Sequence, residues 1–153
     1  MDGVMNPIVT VQKHIADLFR NEPWFAAHNV KVIEQNSQEL YYLLRTKLDE
    51  LRGVSLVVGV DGMTGGLQTG LEQKITVTAT ERVTINRAKQ GFATAIDAVC
   101  AAIQVLDFAD WGDVAQAYHF IDMRHEAARD VDILRATATF GVIANRIPCG
   151  CNS

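Results

Sequence analysis

Apolar residues recur along this chain with two different periods. Ile8, Val11, Ile15, Leu18 and Phe19 keep the spacing of one helix face. Asn6 and Pro7 supply the start signal, an N-cap residue followed by one whose fixed φ suits the first helical turn. Asn21-Glu22-Pro23 should end this helix near Arg20. Trp24 and Phe25 should cover one edge of the core, and the residues around Val30 and Val32 read as a short strand. Leu40, Leu44, Leu48 and Leu51 then form the stripe of a second helix over 37–52. Asn36 and Glu39 make a variant capping box before it, and Gly53 stands where a left-handed C-cap belongs.

Val54 to Val60 is nearly all apolar, as expected of a central strand. Asp61 to Lys74 reads as a loop carrying Gly62, Gly65, Gly66 and Gly70. The clearest alternation follows. Ile75, Val77, Ala79, Val83 and Ile85 share one face, and Thr76, Thr78, Thr80, Arg82 and Thr84 share the other. Phe92, Ile96, Val99, Ile103 and Leu106 predict a third helix over 90–106. Tyr118 to Met123 suits a strand, and the charged stretch 124–132 suits a turn or short helix. Leu134, Ala136, Ala138, Phe140 and Val142 alternate with Arg135, Thr137, Thr139 and Gly141 in a last strand, which Pro148 stops. The order is α-β-α-β-β-α-β-β. It predicts an α+β domain over 1–148, an antiparallel or mixed sheet packed by about three helices on one face, with a short tail at 149–153. The threonine faces are then left to meet water or a neighbouring copy of the chain.

The chain has 153 residues, which fits one domain with a sizeable core. A net charge of −4 weakens the case for a nucleic-acid binder or an anionic-membrane binder. No apolar run approaches the roughly 20 residues of a membrane span, and no signal peptide is visible. Three cysteines are not a disulfide framework. Cys100 lies in an apolar helical stretch and reads as a small core residue. Cys149-Gly150-Cys151 lacks the second ligand pair of a structural zinc site and reads as a terminal tail. A reducing cytoplasm is the default place of synthesis.

Little catalytic chemistry is written in the residues. Gly65 to Gly70 opens like a phosphate-binding loop, but Leu71-Glu72 replaces the required Lys-Ser/Thr and a strand follows instead of a helix. Asp107, Asp110 and Asp113 lack the spacing and glycine of a calcium loop. His14 falls at the edge of the first apolar stripe and suits packing, and His28 lies in a loop. His119 and His125, with Asp122 and Glu126 between or beside them, are the one place where a metal or acid–base site could assemble. No cofactor or metal is expected. Met63 and Leu67 would be poor choices for the surface of a monomer. With Thr76, Thr78, Thr80, Arg82, Thr137 and Thr139 they form the candidate partner interface.

The element order, the long two-stranded unit over 54–86 and the final strand over 133–145 resemble tail-terminator and related neck proteins of tailed bacteriophages. The resemblance spans residues 5 to 147. It implies a structural virion protein and no enzyme: a homo-oligomeric, hexameric ring assembled in the host cytoplasm. Such a ring caps the tail tube, joins it to neck and connector proteins, and passes DNA without reading its sequence. The segment 124–132 and the tail 149–151 have no counterpart in that pattern. A head-side connector or stopper is the nearest alternative. A small metal-dependent hydrolase using His119 and His125, or a small-molecule-binding α+β domain, stands further off.

Overall fold

The structure, a computed structural model, describes residues 7–38, 40, 52–65, 71–107, 109, 118–128 and 132–144. Helix α1 (Pro7–Arg20) and the short α2 (Pro23–Ala27) precede strand β1 (Val30–Glu34). Strands β2 (Val54–Gly65) and β3 (Leu71–Arg82) follow, then a short α3 (Val83–Arg87) and α4 (Ala95–Leu106). Strands β4 (His119–Ala128) and β5 (Ile133–Ala144) close the chain.

The five strands form one mixed sheet in the order β1-β2-β3-β5-β4. β1 lies parallel to β2, and every other neighbour is antiparallel. The α+β class expected from the sequence is the fold observed. α1 packs on β1 and β2, α4 packs on β3 and β5, and the two helices touch each other. They share the face that carries Leu56, Val58, Ile75, Val77, Ala79, Ala136, Ala138 and Phe140, all with essentially no exposure. From the helices come Val11, Ile15, Phe19, Ala98, Val99, Ala102 and Leu106. Phe25 is buried against Phe19 and stands edge-on to Trp24, so that aromatic pair does close one end of the core.

Several boundaries differ from those the periodicity predicts, each for a local reason. β2 and β3 run through most of the expected glycine loop, leaving only residues 66–70 between them. A β-bulge at Asp61 shifts the register between Val60 and Gly62, so the alternation of β2 breaks there while its pairing continues. β3 stops at Arg82, and Val83 and Ile85, expected in the strand, belong to α3. Asp132 causes this turn from a distance. Its carboxylate accepts from the Thr84 backbone N–H at 3.1 Å and from the Thr84 hydroxyl, giving α3 the cap that Arg82 lacks. The Thr84 hydroxyl also holds the Asp132 carboxyl below its ordinary range.

α4 begins at Ala95 instead of residue 90, because Thr94 and Asp97 form a reciprocal capping box. Residues 124–128, expected as a turn or short helix, continue β4 along β5. Cys100 is exposed on α4, not a core residue. The helix expected over 37–52 lies outside the described residues except at its ends. There the Ser37 hydroxyl, not Asn36, accepts from the Leu40 N–H at 3.4 Å. Gly53 is left-handed as expected, with φ 70°, and a Cβ there would meet the Asn29 carbonyl oxygen at 2.4 Å.

One buried carboxylate ties the helix layer to the sheet. Glu81 lies on the core face of β3 with no exposure. It accepts from the Ala95 N–H at 3.0 Å, at the start of α4, from Asn86 Nδ2 at 2.6 Å, and from Arg87 at 3.1 Å. Asn86 also donates to the Ala93 carbonyl at 2.8 Å. Glu81→Ala removes the acceptor of all three donors and should cost about 3–5 kcal/mol, read as a shift in the urea unfolding curve.

His14 on α1 stacks on Tyr118 and meets its hydroxyl at 2.7 Å. Burial pushes the Tyr118 hydroxyl up and the His14 imidazole below its ordinary 6.5, the latter partly offset by the Asp17 carboxylate. The unfolded chain therefore binds this proton more readily than the folded one. The stability His14 contributes is complete above pH 6.5 and is lost as pH falls toward the lowered folded value. Thermal melts should show a fall in Tm on acidifying through that window, and His14→Phe should flatten it.

Candidate functional site

The described helices cover one side of the sheet, and among the described residues nothing covers the other side of β3, β5 and β4. On β3 this open face carries Lys74, Thr76, Thr78, Thr80 and Arg82. Across it on β5 stand Gly141, Thr139, Thr137, Arg135 and Ile133, in that register. The threonines of the two strands thus lie side by side, Thr76 with Thr139 and Thr78 with Thr137. The hydroxyls of Thr78 and Thr137 are 3.3 Å apart, and Thr76 donates to Asp61 at 3.0 Å. Arg82 lies 3.7 Å from Asp132. β4 extends the face with His119, Asp122, Arg124 and Glu126, opposite Gly141, Thr139, Thr137 and Arg135. At the far side Ile33 and Ser55 are buried, so the open area is the β3-β5-β4 part.

Of the candidate interface residues, Thr76, Thr78, Thr80, Arg82, Thr137 and Thr139 are thus brought together on one surface. Thr139 is the most enclosed of them, at 5% exposure. Met63 sits apart, near the end of the β2–β3 hairpin, 43% exposed. Leu67 lies outside the described residues, as do the cysteines of the tail.

Sequence reasoning missed two exposed apolar side chains on β4. Phe120 and Ile121 are 37% and 53% exposed, the only large apolar side chains besides Met63 that stand out among the described residues. Ile121 is the extra residue of a second bulge, where the register of β4 shifts between Phe120 and Asp122. The two bulges flank one row of the sheet, Val60, Ile75, Phe140 and Phe120. An open groove of about 600 Å³ lies beyond that row, lined by Asp61, Gly62, Met63, Glu72, Lys74 and Ile121. Gly141 gives this end its shape: a Cβ there would meet the His119 ring at 2.6 Å and Ile121 Cδ1 at 3.5 Å. The signal that was present is the pair Phe120-Ile121, two consecutive apolar residues that no alternating strand can bury together.

The two histidines that suggested a reaction centre are separated. His119 is opposite Gly141 and shares the open face, while His125 is opposite Ala136 and projects on the helix side. Their partners on β5, Gly141 and Ala136, are also five residues apart, about 17 Å along the strand. They cannot share one ion or one proton-transfer path. Among the described residues no group of three or more His, Cys, Asp or Glu side chains could hold a metal ion. The groups whose ionisation shifts, His14, Tyr118 and Asp132, make structural contacts and line none of the open grooves described. No described helix is long and apolar enough to cross a membrane.

No family model and no curated protein sequence matches the chain. A solved structure does share its fold. A chain of the "Virion of native gene transfer agent (GTA) particle" superposes with a TM-score of 0.60 at 16% identity, covering 88% of this chain and 94% of that one. At that identity the likeness is one of architecture.

The exposed tip carries little folding energy. Met63→Asp and Ile121→Asp should each change unfolding free energy by less than about 0.5–1 kcal/mol. Phe140→Ala, in the core beneath, should cost about 3–5 kcal/mol in the same urea titration.

Proposed function

We propose that this protein is a structural component of a tailed-phage-like virion, a ring-forming subunit that terminates the tail tube at the neck. The observation that carries the reading is a fold held in common, over nearly the whole length of both chains, with a component of a virion particle. The anatomy of the subunit suits assembly. One broad sheet face is polar and uncharged over most of its centre, which suits repeated close contact without buried charge. The end of the sheet presents Met63, Phe120 and Ile121, apolar anchors for a partner.

In this reading the open face, with Thr76, Thr78, Thr80, Arg82, Thr137 and Thr139, lies against the next subunit of a hexameric ring. Met63 and Leu67 contact the tail tube or the neck protein above it. DNA passes through the ring without sequence-specific contacts. The protein acts by assembly and not by turnover, in a particle put together in the host cytoplasm. A heterologous contact repeated around an axis closes such a ring.

Purified protein should decorate one end of isolated tail tubes in negative-stain electron micrographs, and Met63→Asp should abolish that decoration without unfolding the chain. Binding to the head connector alone would move the protein to the stopper position. Binding to neither would overturn the reading.

A further inference from the structure

Among the described residues β4 is the edge strand of the sheet, one that matches a second copy of itself, and we infer that two subunits pair antiparallel through it, about a two-fold axis at His125. The observation is a charge order. Beyond the bulge, residues Asp122 to Ala128 run in regular register along β5, and no strand among the described residues pairs with their other backbone edge. Arg124 and Glu126 both project on the open face, opposite Thr137 and Arg135. Both are exposed, and neither forms an ion pair within the subunit among the described residues.

Edge strands of soluble proteins are usually guarded by lysines and other charged side chains, proline, a β-bulge or short length, and the bulge of this one guards only its Ile121 end. This one is ten residues long, has no proline and no lysine, and alternates its signs. In an antiparallel pair, residues directly opposite point to the same face. Placing His125 opposite His125 of the second copy brings Arg124 opposite the second copy's Glu126, and Glu126 opposite its Arg124. On the helix side Met123, which packs against the core, then faces the second copy's Ala127. Shifting the register by one residue in each strand toward the bulge sets Arg124 against Arg124 and Asp122 against Glu126. Like charge therefore disfavours that neighbouring register. The product is a continuous ten-stranded sheet, held by backbone hydrogen bonds over seven residues and two ion pairs. A contact of that size is weak and concentration-dependent.

The pairing goes beyond the ring reading and does not use its contacts. A two-fold contact is isologous and cannot close a cyclic ring.

Sedimentation of the full chain tests it, without tail tubes. The wild type should shift from one subunit toward two as concentration rises through the micromolar range. R124E alone and E126R alone should each weaken the dimer about tenfold or more, since each turns two attractions into two repulsions. Mixing the two variants should restore it, because the mixed pair has opposite charges at both positions, and the double variant R124E/E126R should dimerise like the wild type. Unchanged unfolding midpoints would confirm that the single variants fold. A wild type that stays monomeric at every concentration, a dimer indifferent to R124E, or a mixture that fails to recover would each overturn the inference. None of these outcomes bears on decoration of tail tubes.

Discussion

The strands of this protein outrun its helices, and the rest of the architecture follows from that mismatch. Twelve residues of β-strand span about 40 Å, whereas the 12 residues of α4 and the 14 of α1 span about 18 and 21 Å. Two helices on one face cannot cover β2, β3 and β5 from end to end. The core is therefore confined to the stretch where Leu56, Val58, Ile75, Val77, Ala136, Ala138 and Phe140 meet α1 and α4. Beyond it the hairpin of β2 and β3 continues with backbone pairing but with no described helix beneath. At that boundary the two bulges re-aim the strands, one at Asp61 and one at Ile121. The end of the sheet is left with Met63 and Ile121 exposed.

Glu81 shows how the covered part is held in place. A carboxylate without exposure is costly unless its oxygens are satisfied. Three donors converge on this one, from the first residue of α4, from Asn86 and from Arg87. The contact fixes where α4 starts on the sheet, and Thr94 and Asp97 cap the same helix end from the other side. Asp132, reaching from the start of β5 to Thr84, fixes α3 in the same way. Polar residues distant in sequence thus set the positions at which the regular elements begin.

That division explains what could be read from the residues alone. Periodic patterns revealed α1, α4, β3 and β5, because each of these elements buries one face, and a nearly continuous apolar run revealed β2. The open threonine face was legible for the same reason: Thr76, Thr78, Thr80, Thr137 and Thr139 are the complements of buried positions. The second half of β4 was not. An edge strand with exposed residues on both sides has no need of apolar alternation, so Arg124, His125 and Glu126 looked like a charged turn. β2 beyond Val60 was hidden by a bulge that reverses parity, and the short α3 by a cap supplied 48 residues away. Phe120 and Ile121 were passed over because they fell within a segment, Tyr118 to Met123, read simply as a strand.

The same strand logic weighs against chemistry at the histidines. On β4 the interval from His119 to His125 would give one face if the strand were regular. The extra residue at Ile121 places the two rings on opposite sides. A side chain brought across Gly141 and another turned toward the helix layer share neither solvent nor partner. Carboxylates nearby do not repair this, since Asp122 and Glu126 lie on the open face while His125 does not. What the bulge separates as a reaction centre it organises as a surface. Charged side chains of alternating sign remain on one face of the free edge, and the apolar pair Phe120 and Ile121 is left at its end. In the assembly proposed above, both would be the features by which this chain meets other chains.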